Sequence, residues 1–115
     1  MPIAIAASRQ TVANAYAALG NFLGVCIGDP GTNPASIQNE TSGSGYTRVA
    51  FTWSPGTDGT ETGSPAIINV PIGMFNYVLL ASTVTGGTMV DKTSVTPTNM
   101  STPGQLTITP NYLQK

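Results

Sequence analysis

The stretch GDPGTNPASIQNETSGSGYTRVAFTW, residues 28–53, changes character twice within a single span. It opens on the turn Gly28-Asp29-Pro30-Gly31, crosses a polar loop from Thr32 to Gly45, and ends in an alternating run from Tyr46 to Trp53. Pro pre-sets its φ for a turn, and Asp can hydrogen-bond the backbone two residues on. In the alternating run Thr47, Val49, Phe51 and Trp53 share one face, and Tyr46, Arg48, Ala50 and Thr52 share the other. That period predicts a half-buried strand with Phe51 and Trp53 inward and Arg48 outward. A long polar loop in a compact domain is more often a contact element than filler.

Upstream, residues 1–7 read as an extended apolar arm, with Pro2 opposing an early helix. Ser8 is a good N-cap for a helix over residues 9–19, whose Val12, Tyr16 and Leu19 form one apolar stripe beside Ala15. Gly20 supplies a left-handed stop. Phe22 to Ile27 is a short apolar strand. Downstream, Ser54 to Gly63 reads as a Gly/Thr loop, Ala66 to Val70 as a strand, and Met74 to Ala81 as a central strand buried on both faces. Thr85-Gly86-Gly87-Thr88 is a hairpin turn into a strand from Met89 to Val95. Thr96 to Gly104 is a second loop, Gln105 to Thr109 the last strand, and Pro110 breaks it before a tail. The expected fold is mainly β: an antiparallel β-sandwich of about six strands with one short N-terminal α-helix, residues 8–115 forming a single domain.

Composition narrows the function. The 115 residues include 40% hydrophobic but only 8% charged side chains, against roughly 25% in an average domain. The net charge is −1, and Arg9, Arg48, Lys92 and Lys115 are scattered, so no basic footprint for nucleic acid exists. A surface so poor in charge is weakly defended against association, which points to packing against other proteins. No run approaches the length of a membrane span, and MPIAIAASRQ lacks the basic start of a secretory signal.

Chemistry-bearing patterns are sparse. Histidine is absent, which removes the commonest general base and metal ligand, and Cys26 with carboxylates alone is no credible zinc set. Cys26 sits in an apolar run and is expected to be buried and inert. Asp58 and Glu61 lie three apart in a predicted loop, where they read as solvated carboxylates rather than a calcium site. Thr57-Asp58-Gly59 and Ser42-Gly43-Ser44-Gly45 lack the Lys and strand–loop–helix setting of a phosphate cradle. Adjacent Asp91 and Lys92 point to opposite faces of a strand, so they cannot join in an isopeptide bond. No cofactor is expected. Tyr46 and Tyr112 are the aromatics that fall outside the predicted core; Tyr46 suits an interface, where a ring needs one apolar and one wet end.

In order and spacing, Asp29-Pro30-Gly31, Asn39-Glu40, Gly45-Tyr46-Thr47-Arg48, Trp53, Val70-Pro71-Ile72-Gly73 and Thr85-Gly86-Gly87 resemble small proteins of tailed bacteriophages of actinobacteria, a family called "phage tail fibre protein". The resemblance covers most of the chain. It implies a non-enzymatic virion structural protein, made in the bacterial host cytoplasm. Within that class, the short repeat-free domain and apolar arm favour capsid decoration, as a homo-oligomer such as a trimer bound to the major capsid protein. A tail-fibre or tail-tip component bound to tail proteins is the alternative. The expected contact residues are Pro2, Ile3 and Ile5 of the arm, Ile37 and Asn39 of the long loop, Tyr46, and Tyr112 and Leu113 of the tail, whose ends a neighbouring subunit would hold.

Overall fold

A computed structural model describes residues 2–115; Met1, the first residue of the expected arm, lies outside them. Among the described residues the fold is mainly β, with antiparallel sheets and one helix, as expected, but with nine strands rather than about six.

The helix α1 spans Ala6–Ala17, three residues earlier than expected at its start, and the arm is accordingly shorter, ending at Ile5. Arg9 N–H closes the first turn on Ile5 carbonyl oxygen at 3.0 Å, so Ser8 lies inside the helix and caps nothing. Ala6 and Ala7 are the best helix formers in the segment and outweigh the cap preference of Ser8. The inward face is also rotated from the expected stripe. Ala13 is fully buried and Arg9, Gln10, Tyr16 and Ala17 are partly so, whereas Val12 and Leu19 are exposed. The helix turns a partly polar face to the protein, which apolar periodicity cannot reveal. Gly20 has no left-handed conformation; it is needed because a Cβ there would come within 2.5 Å of the Ala81 carbonyl oxygen.

The first sheet has the order β2-β1-β6-β7, from β1 (Phe22–Cys26), β2 (Val49–Ala50), β6 (Gly73–Ala81) and β7 (Met89–Met100). The second layer is built from β3 (Trp53–Pro55), β4 (Thr60–Gly63), β5 (Ala66–Val70), β8 (Gly104–Ile108) and β9 (Asn111–Leu113). β4 and β9 pair in one register and β5 and β8 in another. Between them Gly63 N–H donates to Pro110 carbonyl oxygen at 2.7 Å, so the two ladders run on as one long antiparallel pair. Two expected loops are therefore strands. Residues 54–63 form the β3–β4 hairpin, and β7 continues through residues 96–100. The tail, too, is a strand: β9 is held by β4 of its own domain rather than left for a neighbour.

The predicted strand at residues 46–53 is divided because the chain changes sheets there. Val49 and Ala50 pair with β1, Trp53 to Pro55 pair with β4, and Phe51 bridges the layers by exchanging hydrogen bonds with Asn21. Phe51 is buried and Trp53 half-buried, as the alternation requires, with the Trp53 indole N–H donating to Gly20 carbonyl oxygen at 2.9 Å.

Leu23 and Val25 of β1, Ile68 and Val70 of β5, and Val78 and Leu80 of β6 fill the space between the layers. The opposite face of the first sheet is buried as well. Cys26, Leu79, Ala81 and Met89 form a second cluster there, against which Ile37 of the long loop packs. The loop is pinned by bonds from Ile27 N–H to Asn39, Thr41 N–H to Val25 and Met89 N–H to Pro34 carbonyl oxygens. Residues 28–45 thus act as a third layer, which is why the central strand β6 is buried on both sides from Val78 to Ala81, as predicted, whereas Met74 near its start is exposed.

Candidate functional site

Arg48 corrects the sequence reading most sharply. It does point away from the inter-sheet core, but the loop covers that face, and the residue is only 5% exposed. Its guanidinium meets Glu40 in a two-pronged pair, Nε to Oε2 and Nη2 to Oε1 both at 2.8 Å. Further bonds run from Nη1 to Thr83 and from Nη2 to Gly86 carbonyl oxygens, tying the β6–β7 hairpin turn to the loop. The Tyr46 hydroxyl donates to Glu40 Oε2 at 2.6 Å and accepts from Val25 N–H at 3.2 Å. Burial opposes ionisation of Glu40, yet the Arg48 and Tyr46 bonds outweigh it and hold the carboxyl below its usual range. Burial, then the Glu40 bond, pushes the Tyr46 phenol upward. The cluster fits because Gly24 lies beneath it: a Cβ there would sit 2.5 Å from the Tyr46 hydroxyl and 3.0 Å from Glu40 Oε2.

A second cluster joins α1 to β4 and β9. Arg9 pairs with Asp58 and donates to Ile3 carbonyl oxygen at 2.6 Å. The Tyr16 ring stacks on Tyr112 at 3.7 Å, and its hydroxyl donates to Asp91 of β7 at 2.7 Å. Desolvation, then the Asp91 bond, raises the Tyr16 phenol's pKa. Glu61, expected as a solvated loop carboxylate, is 3% exposed beneath the helix, because the strand β4 alternates and turns Glu61 and Gly63 inward. Burial raises its pKa, and its Oε2 has no hydrogen-bond partner among the described residues.

The predicted contact residues fall in three places. Pro2 and Ile5 are exposed and Ile3 half-buried at the start of α1. Leu113 is exposed next to them in the fold: Arg9 and Gln114 both close on Gly59, where a Cβ would lie 2.9 Å from Arg9 Cβ and 2.6 Å from Gln114 carbonyl oxygen. The arm and tail therefore converge on the β3–β4 turn. Ile37 and Asn39 lie on the covering loop; Ile37 packs inward, and Asn39, at a φ of 60°, donates its amide to Asp29 carbonyl oxygen at 2.9 Å. Tyr46 and Tyr112 are half-buried and engaged within the chain.

The two layers are joined along one side by the β2–β3 crossover. Along the other, β7 and β8 are edge strands. Two clefts of about 380 and 370 Å³ open between them, both floored by Val78 and walled by Val95 and Ile108, with Tyr16, Trp53 and Tyr112 lining the first.

Charge is tied up within the fold. Of nine charged side chains, six form three internal pairs: Arg9–Asp58, Arg48–Glu40 and Lys92–Asp29. Glu61 is buried, and Asp91 accepts from Tyr16 and Lys92 N–H. Cys26 is buried, and desolvation, with Glu40 beside it, pushes its thiol up to about 12. Among the described residues no three His, Cys, Asp or Glu side chains gather as metal ligands, and no helix is long and apolar enough to cross a membrane. Neither a family model, a curated protein nor a solved structure matches the chain.

Proposed function

We propose that this chain is a non-enzymatic structural protein of a bacteriophage virion, decorating the capsid surface through its arm and loops. One observation carries the reading. Six of nine charges are neutralised within the fold, while Ile5, Leu19, Ile67, Ile72, Met74 and Leu113 are all more than half exposed. Such a surface has little charge to keep copies apart and ample apolar area to lose to neighbours. It suits a protein that spends its working life packed in a lattice. The sequence resemblance to phage proteins supplies the virion setting, and the convergence of arm and tail at one end supports a polar mode of attachment.

The copy number per particle tests this, by quantitative mass spectrometry of purified virions. Hundreds of copies are expected for decoration. A few to a few dozen would replace it with the tail-tip or fibre role, and complete absence would overturn the virion reading. Removal of residues 2–5 should leave a folded domain, because those residues lie outside every regular element, yet prevent its incorporation into particles. Circular dichroism and particle composition would report the two effects separately.

A further inference from the structure

The amide of Gln10 has only one possible orientation. Its Oε1 accepts from Gly59 and Thr60 N–H at 2.9 and 3.1 Å, and its Nε2 donates to Thr60 carbonyl oxygen at 3.0 Å. Reversing it would break all three bonds. The remaining Nε2 hydrogen points at Asn14, one helical turn on, whose Oδ1 accepts it at 2.8 Å. This same Asn14 atom lies 2.7 Å from Glu61 Oε1. An ionised Glu61 would set two acceptors against each other there. Rotating Asn14 to present its nitrogen satisfies the carboxylate and reaches the Gln10 carbonyl oxygen at 3.3 Å, but places two donor nitrogens, Asn14 Nδ2 and Gln10 Nε2, at 2.8 Å. With Gln10 fixed by the backbone, a proton on Glu61 Oε1 is the arrangement that keeps both the Gln10–Asn14 bond and the Asn14–Glu61 contact favourable, although Glu61 Oε2 stays unpartnered among the described residues.

We propose that Glu61 is held as the neutral acid in the folded protein and donates its proton to Asn14 Oδ1, so that a single proton latches α1 onto the β4–β9 ladder. The surroundings agree. Arg9, the cation of α1 at this end, is committed to Asp58 and the Ile3 carbonyl, and none of the three ion pairs includes Glu61. From β9, Tyr112 stands opposite Glu61 in the register, its hydroxyl donating to Gln114 Oε1; from α1, Tyr16 lies over Tyr112 and its hydroxyl donates a hydrogen bond to Asp91. From β3, the residue opposite is Pro55, with nothing to titrate. Among the described residues that face Glu61 there are two phenols and no unpaired cation, which leaves a buried carboxylate without compensation, and burial accordingly raises the pKa of the acid. When the proton leaves, either the Asn14–Glu61 contact becomes repulsive or the Gln10–Asn14 bond is lost. Both outcomes loosen α1, and with it the arm that α1 carries.

The latch can be tested on the isolated protein, independently of any role in a virion. Carboxyl-carbon NMR should show Glu61 titrating above the ordinary glutamate range and well after Glu40. Hydrogen exchange, corrected for intrinsic rates, should show protection of α1 and β9 amides falling as pH rises towards the Glu61 midpoint, by up to tenfold per pH unit. In Glu61→Gln, whose amide donates to Asn14 at every pH, that fall should vanish. Titration of Glu61 in the ordinary range would overturn the proposal in the wild-type protein, with no variant needed. An unchanged pH profile in a folded Glu61→Gln would overturn it equally.

Discussion

At the scale of single residues, the pair of buried Arg48 and half-buried Glu40 divides what sequence shows from what it hides. Alternation correctly gave Arg48 the side opposite Phe51, but period two says only that a face is opposite, not that it is wet. The polar loop of residues 28–45 covers it, and no pattern within the loop announces a third layer; Ile37 is its single large apolar anchor. Arg48→Ala should cost about 3 kcal/mol in urea unfolding, because Glu40 would be left largely desolvated without its cation. Arg48→Met combined with Glu40→Gln should recover part of that loss, since it strands no charge; a double variant worse than Arg48→Ala would contradict this account. Trp53 and Leu19 offer a sharper contrast. Trp53 packs edge-on to Phe51 at 4.8 Å and donates to Gly20, so Trp53→Ala should cost about 3 kcal/mol, near the lower end for a buried aromatic. Leu19, 56% exposed despite its place in the apolar stripe, should lose under about 0.5 kcal/mol on change to Ala.

At the scale of elements, the strands with simple alternation or continuous apolar character were legible: β1, β5, β6 and β8 lie within a residue of their expected limits. Those read as loops were β3, β4, β9 and the second half of β7, and their composition explains why. TETG, NYL and TPTNM offer few apolar side chains, and they pair because the neighbouring ladder continues into them. Pro97 falls in a bulge, where Val95, Thr96 and Pro97 of β7 face Asn76 of β6, so the missing N–H breaks no regular pairing. The same tertiary dependence makes β9 testable. It is three residues long and owes its place to β4 pairing and to the Tyr112–Tyr16 stack. Tyr112→Ala should therefore remove about 1–2 kcal/mol of stability through lost stacking and burial, and uncover Tyr16. Increased hydrogen exchange confined to β9, β4 and α1 would confirm that these elements open as one unit; a change spread evenly over β1 and β6 would argue against it.

At the scale of the whole molecule, the few ionisable groups that shift do so in opposite directions, and this shapes stability against pH. Glu40 and Asp29 have folded pKa values below their unfolded ones: Glu40 because the Arg48 and Tyr46 bonds outweigh its desolvation, Asp29 through the Lys92 bond and Gly31 N–H. Their contribution is complete above the unfolded carboxylate range and drains away as pH falls through the folded values. Asp29 is exposed and adds little. Glu61 behaves oppositely. Its folded pKa lies above the unfolded one, so its contribution is complete below the unfolded value, near 4.3, and is lost as pH rises through the folded value. Stability should therefore peak in mild acid, where Glu40 is ionised and Glu61 is not, and decline on both sides. With no histidine in the chain, no imidazole contributes a limb between these two. Urea midpoints measured from pH 3 to about pH 7.5 should trace that peak, below the range where the buried Cys26 thiol, with its raised pKa, adds a limb of its own. Glu40→Gln should flatten the acid side alone, and Glu61→Gln the alkaline side alone, because the two groups sit in separate clusters with no shared partner. A single variant that flattened both limbs would show that the covering loop and the helix junction communicate, for which adjacent β7 residues offer a route through the Tyr16–Asp91 and Lys92–Asp29 bonds.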